Sequence, residues 1–163
     1  MKQRIVWLFI GLLLSGCSLF KQQAKTPAIS ISNEQLAVCL DRAVDELIKA
    51  QWLSDFLLKK NVRPILMNAG ISNQSRASID LNFAYEHLDL ALIQSGEVRV
   101  VKTNDAQQSM LPQTLVKGQS VDLVLSLRFI DEEPIMPGKI LVLLSLWSED
   151  STTPVFSSQQ KIE

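Results

Sequence analysis

Between residues 62 and 101 the chain reads as extended, then helical, then extended again, and the rest of the chain is organised around that stretch. Pro64 heads the first extended run, Ile65-Leu66-Met67, at a position where no ladder N–H is yet required. A polar loop follows over residues 72–78, too short of apolar side chains to be buried. Asp80 then stands where a helix N-cap belongs, its carboxylate set to accept free N–H groups of the first turn. Leu81, Ala84, Tyr85, Leu88, Ala91 and Leu92 recur at three- and four-residue spacing and share one helical face. Gly96 closes that helix, because glycine takes the left-handed C′ conformation cheaply. Val98, Val100 and Val101 supply the second strand. A strand, a helix and a strand on short joints predict a βαβ unit with parallel strands and a right-handed crossover.

The run Arg63-Pro64-Ile65-Leu66-Met67-Asn68, then Asn73, then Ile79-Asp80, the helix ending at Gly96 and the strand at 97–101 together resemble the C-terminal domain of the LpoB family. Members of that family are outer-membrane lipoproteins that activate bifunctional penicillin-binding proteins, the peptidoglycan synthases, and wider relatives include curli export lipoproteins. The resemblance implies a periplasmic binding domain that works by protein–protein contact in peptidoglycan synthesis and cell shape. Better-known members also carry a long proline-rich linker and a longer helical insertion after the second strand.

Residues 1–16 read as an address label. Lys2 and Arg4 form a positive start, and residues 5–14 are an apolar run. As a helix that run covers only about 15 Å, half a bilayer's hydrocarbon core, so it does not span. Leu14-Ser15-Gly16-Cys17 follows directly. Small residues before a cleavage point suit a peptidase, and a cysteine at the cut offers a thiol for lipid. The spacing resembles the bacterial lipoprotein signal, which implies acylation of Cys17, with palmitate among the chains. Two or three acyl chains hold a protein firmly, whereas one holds it marginally. Ser18 after the cysteine, in place of Asp, implies the outer membrane, with the domain facing the periplasm. Residues 17–32 are then a lipidated tether in which scattered Leu19, Phe20, Ile29 and Ile31 give nothing to pack. The fifteen residues from Ser18 to Ser32 reach at most about 50 Å. Residues 33–163 make a single domain.

Ser32 with Gln35 fits a capping box. Leu36, Leu40, Ala43, Val44, Leu47, Ile48 and Leu53 follow at helical spacing, widened by Trp52, Phe56 and Leu57, and predict one helix to about Lys60. Its polar face carries Asp41, Asp45 and Glu46, which repel anionic headgroups, so a helix laid on a sheet is favoured over a lipid-binding one. Cys39 falls beside the apolar stripe and reads as a buried small hydrophobe.

Residues 103–118 are mostly polar and contain Pro112, which predicts a connection. From Val121 to Phe129 every odd position is apolar, the pattern of a strand with one buried face. An acidic turn, Asp131-Glu132-Glu133-Pro134, leads to a strand at 139–147 that is apolar on both faces, and a third strand covers 154–161. The second strand lacks the polar alternate face that a membrane hairpin needs, so a water-soluble sheet is favoured. The expected fold is α/β: a mixed sheet of about five strands, a βαβ unit followed by an antiparallel meander, covered by two helices.

Catalysis finds little support. His87 is the only histidine, and its neighbour Glu86 points away from it on a helix. No nucleophile elbow, phosphate loop or zinc spacing occurs, so no catalytic residue, metal, cofactor or small-molecule substrate is expected. The formal net charge is −1; without the leader, 14 of the 16 basic residues face 17 acidic ones, a net −3. No basic field collects phosphates, which argues against nucleic acid. The exposed features expected to meet a protein partner are Asn73, Gln74, Ser75 and Arg76 in the polar loop and Asp131, Glu132 and Glu133 in the acidic turn. Two functions fit: an envelope adaptor resembling activators of penicillin-binding proteins, or a structural subunit of an export or appendage complex, which a short tether favours.

Overall fold

The computed structural model describes residues 29–101, 121–132, 139–148 and 151–162. Ser32 opens helix α1 (Asn33–Lys49): its hydroxyl accepts the Gln35 N–H at 3.2 Å, and the Gln35 carboxamide oxygen accepts the Ser32 N–H at 3.2 Å. That reciprocal cap satisfies two N–H groups a helix start otherwise leaves unpaired. Leu36, Cys39, Leu40, Ala43, Val44 and Leu47 turn inward and are buried.

The helix does not continue to Lys60 in one piece. Ala50 is extended (φ −72°, ψ 152°), and a second helix, α2 (Gln51–Lys60), follows it. The carbonyl of Leu47, which an unbroken helix would offer to the N–H of residue 51, accepts the Trp52 indole N–H at 2.8 Å instead. Length explains the break. A single helix over residues 33–60 would run about 42 Å, whereas a nine-residue strand covers about 30 Å. Bending at Ala50 returns Leu53 to the interior and sets Trp52 and Phe56 against the core. Asn61 ends α2 in the left-handed conformation (φ 53°), its N–H on the Leu57 carbonyl. Among the described residues, three helices therefore stand where two were expected.

Helix α3 (Leu81–Ser95) begins and ends as its sequence predicts. The Asp80 carboxylate accepts the Phe83 N–H at 3.0 Å, and Gly96 closes it at φ 70°. Five strands form one sheet in the order β2-β1-β3-β4-β5: β1 (Ile65–Asn73), β2 (Arg99–Val101), β3 (Leu123–Asp131), β4 (Ile140–Ser148) and β5 (Phe156–Ile162). Strand β1 is parallel to β2 and to β3, while β3, β4 and β5 are antiparallel in turn. The mixed sheet, the βαβ unit and the meander are thus as expected.

Strand β1 is longer than its apolar run. Ser72 and Asn73 pair with Arg128 and Phe129 of β3, so the polar loop begins only at Gln74. A register shift between Asn68 and Ile71 accommodates the extension, with Gly70 at φ 130° inside it. One face of the sheet meets α1 and α3: Leu66, Leu123, Leu125, Leu127, Phe129, Ile140, Val142, Leu144 and Leu146 form a continuous core with the buried leucines of both helices. Asn68, which ends the sequence run at the head of β1, is 1% exposed and donates to the Asp89 carboxylate of α3 at 3.0 Å, pinning helix to strand.

The tether does not stay clear of the domain. Ile31 donates its N–H to the Ser78 carbonyl (3.2 Å), Ser78 donates to the Ile29 carbonyl (2.8 Å), and Ile31 is buried. Residues 29–31 are thus docked on the loop, the opposite of an unpacked stretch. Cys17, Glu133 and the connection over 103–118 lie outside the described residues.

Candidate functional site

Because β1 and β3 are parallel neighbours, their C-terminal ends lie side by side, and the polar loop meets the acidic turn there. The Gln74 N–H continues the ladder to the Phe129 carbonyl at 2.8 Å. Asn73 then folds the loop on itself. Its side-chain oxygen accepts the Ser75 N–H (2.9 Å) and the Ser75 hydroxyl (2.7 Å), and its amide donates to the Ala77 carbonyl (2.8 Å). An asparagine bonding two residues ahead replaces a backbone turn, which makes the loop rigid without burying it.

Arg76 crosses to the turn. Its Nε lies 3.0 Å from Asp131 Oδ2, and its backbone N–H donates to Asp131 Oδ1 at 3.3 Å. Half of the Arg76 side chain is exposed, while Asp131 is mostly covered, so the pair is a clamp on the rim. Glu132 joins the far edge strand by an ion pair with Lys161, and its N–H donates to the Lys139 carbonyl at 2.9 Å. The hydrogen bond from Lys161 holds the Glu132 carboxyl below the usual carboxylate range, with burial opposing and the charges of Lys161 and Lys139 assisting.

This edge brings together six of the seven residues expected from sequence to meet a partner, Asn73, Gln74, Ser75, Arg76, Asp131 and Glu132. Their charges are balanced in pairs, and the Asn73 side chain serves the loop rather than a ligand. Nothing here forms a nucleophile with a base. His87 lies elsewhere, between helices, with Nε2 2.8 Å from Asp41 Oδ1 of α1 and its ring stacked on Phe83 at 5.5 Å. Among the described residues, no group of three or more His, Cys, Asp or Glu side chains could hold a metal, and no helix is long and apolar enough to cross a membrane.

At the opposite end of the strands an open groove of about 890 Å³ lies between α2 and the strand ends. Trp52, Asp55, Phe56 and Lys59 line it from the helix, and Leu123, Ser148 and Val155 from the sheet. Sequence reasoning missed this feature as a site. The signal was present in Lys59-Lys60 closing a helix that also carries Trp52 and Phe56, but only the break at Ala50 turns that helix across the strand ends.

Residues 35–126 match the family described as the peptidoglycan-synthase activator LpoB, a span from α1 into β3. Among solved structures, the chain is similar to the LpoB C-terminal domain from Escherichia coli at 16% identity and a TM-score of 0.49, covering 78% of this chain and 98% of that one. It is similar to the LpoB C-terminal domain from Salmonella enterica at 17% identity and a TM-score of 0.46, covering 68% and 92%. A third similarity is to lipoprotein GNA1162 from Neisseria meningitidis, at 17% identity and a TM-score of 0.41, covering 63% and 81%. No curated protein matches the chain in sequence.

Proposed function

The chain belongs to the LpoB family of peptidoglycan-synthase activators, and we propose that it is a non-enzymatic lipoprotein that stimulates a bifunctional penicillin-binding protein by contact. The observation that carries this reading is the family match through both α1 and the whole βαβ unit. In this reading residues 1–16 are removed, Cys17 is acylated, and the domain hangs from the outer membrane into the periplasm. The partner contact runs through the strand-end edge of Gln74, Ser75, Arg76, Asp131 and Glu132, shaped by Asn73 and continued by Glu133. Rigidity supports that choice: a loop already bonded through Asn73 loses little entropy on binding.

The test is reconstitution. Purified mature protein added to a bifunctional penicillin-binding protein should raise its rate of glycan-strand synthesis, and the two should crosslink in cells. Gln74→Glu changes a side chain that makes no bond among the described residues, and it should weaken the stimulation without lowering the melting temperature. Cys17→Ser should leave the chain unlipidated and out of the detergent phase. No stimulation together with no crosslink removes the reading.

With residues 29–31 docked, no more than residues 18–28 is left for a tether, a length of chain that reaches about 40 Å at most. That short reach favours a second reading, a structural subunit of an export or appendage assembly close to the membrane. Crosslinked mass separates the two, because an oligomeric ring of this chain and a pair with a synthase differ.

A further inference from the structure

Strand β5 ends the sheet, and among the described residues no strand lies beyond it. One row of its backbone N–H and C=O groups faces away from β4 and is a template for a further strand. The other edge, β2, offers only Arg99–Val101, whereas β5 offers the 7 residues of Phe156–Ile162. Its register against β4 runs unbroken over that length, with neither a bulge nor a proline, the devices that commonly blunt an edge. Lys161 is its only charged residue and is engaged with Glu132. Phe156 and Ile162 join the helix-side core, and the Ser158 hydroxyl donates to Glu46 of α1. By alternation Ser157, Gln159 and Lys161 face the other side, and all three are exposed. At the C-terminal end of this edge a hollow of about 270 Å³ opens between α1 and β5, walled by Glu34, Val38, Cys39, Arg42 and Ile162. Val38 is 46% exposed there.

We propose that β5 pairs antiparallel with β5 of a second copy of this chain, across a twofold axis at Gln159, joining the two sheets edge to edge. Full overlap of the strand fixes the centre at Gln159, and from there the sequence reads alike in both directions: polar residues, then an apolar one at each end. A twofold contact needs a patch that complements itself, and this strand is such a patch. Phe156 falls opposite the partner's Ile162 on the helix-covered face, Ser158 opposite the partner's Gln160, and Ser157 opposite the partner's Lys161. No charge meets its like, because the two Lys161 side chains stand about 13 Å apart along the pair. The flank of α1 above the edge carries Glu34, Arg42 and Glu46, acid and base together, so no field of one sign faces itself. The hollow is a second, independent observation. It lies beside Ile162, where the pairing delivers the partner's Phe156, and Val38 and Cys39 give it an apolar wall. Backbone groups alone would accept any strand; the symmetry around Gln159 and the place of the hollow single out a second copy. An edge of 7 residues is about 23 Å long, the low end of interface sizes, so the pair is weak and reversible. The contact does not depend on the activator reading.

The experiment uses the mature chain, residues 17–163, with Cys17→Ser, so that the buried Cys39 is the only other thiol. In sedimentation equilibrium its mass should rise from one chain towards two between about 1 µM and 1 mM. In that background Gln159→Cys should give a disulfide dimer under mild oxidation, since the twofold sets position 159 against itself. Ser157→Cys should not, its two copies standing about 13 Å apart, and neither should Gln94→Cys on the exposed side of α3. Gln159→Lys and Gln159→Glu should each weaken the dimer about fivefold with the melting temperature unchanged. Mixing those two variants should restore it, because unlike charges then face across the axis. Val38→Asp should weaken it as well, without altering the circular dichroism spectrum. A one-chain mass over the whole range, equal trapping at positions 157 and 159, or a mixture no tighter than its parents overturns the proposal. A one-chain mass together with lost synthase stimulation in Gln159→Lys overturns it too, and gives the edge to the synthase.

Discussion

A thiol sealed between a helix and a sheet behaves as a small hydrophobe, and Cys39 is so placed. It is 3% exposed on the inner face of α1, and burial pushes its pKa up to about 11 even with Arg42 drawing it back. Reactivity follows the thiolate, so at pH 8 the native protein should react with a thiol reagent at least about 100-fold more slowly than the denatured chain. A fast native reaction, or a disulfide dimer on a non-reducing gel, contradicts the burial. Asn73 makes the complementary point for polar groups. A side chain with three bonds inside its own loop has little left to offer a partner, so the contact proposed for this edge would fall to Gln74 and the exposed half of Arg76.

Among the elements, α3 owes its end to one dihedral angle. Gly96 sits at φ 70°, and a Cβ built there would meet nothing within 4 Å. The penalty for a side chain is therefore conformational and not steric: Gly96→Ala should cost about 1 kcal/mol, and Gly96→Asn less, in denaturant titrations. A larger loss would mean that the glycine serves packing. Beyond the end of β3, Glu132 makes a contact that depends on its charge. Folding favours the ionised carboxylate, so the Lys161 contact stabilises fully above the ordinary carboxyl range and is lost as pH falls through the lowered folded pKa. Lys161→Met should flatten the fall in melting temperature below about pH 4.5; an unchanged acid limb refutes the coupling. Both helix caps were legible from sequence, because a cap joins residues three apart. The break at Ala50 was not, because its cause is the length of the sheet beneath.

For the molecule as a whole, the docking of residues 29–31 decides where a tether would leave the domain. Ile31→Asp should cost about 2–4 kcal/mol by burying a charge without a partner. A melting temperature equal to that of the unchanged protein would return Ile31 to a free linker. Local chemistry in the sequence determined the helix starts and stops, the inward faces of α1, α3 and β3, the order of elements and the family resemblance, since each rests on spacings of a few residues. Tertiary structure alone decided the strand order, the extension of β1 through Asn73, the Arg76–Asp131 clamp and the groove at the other end. Those depend on partners far apart in the chain, such as the Ile65 N–H and the Asp122 carboxylate, 57 residues apart. No local propensity encodes such a meeting; it follows only when one core buries both segments at once.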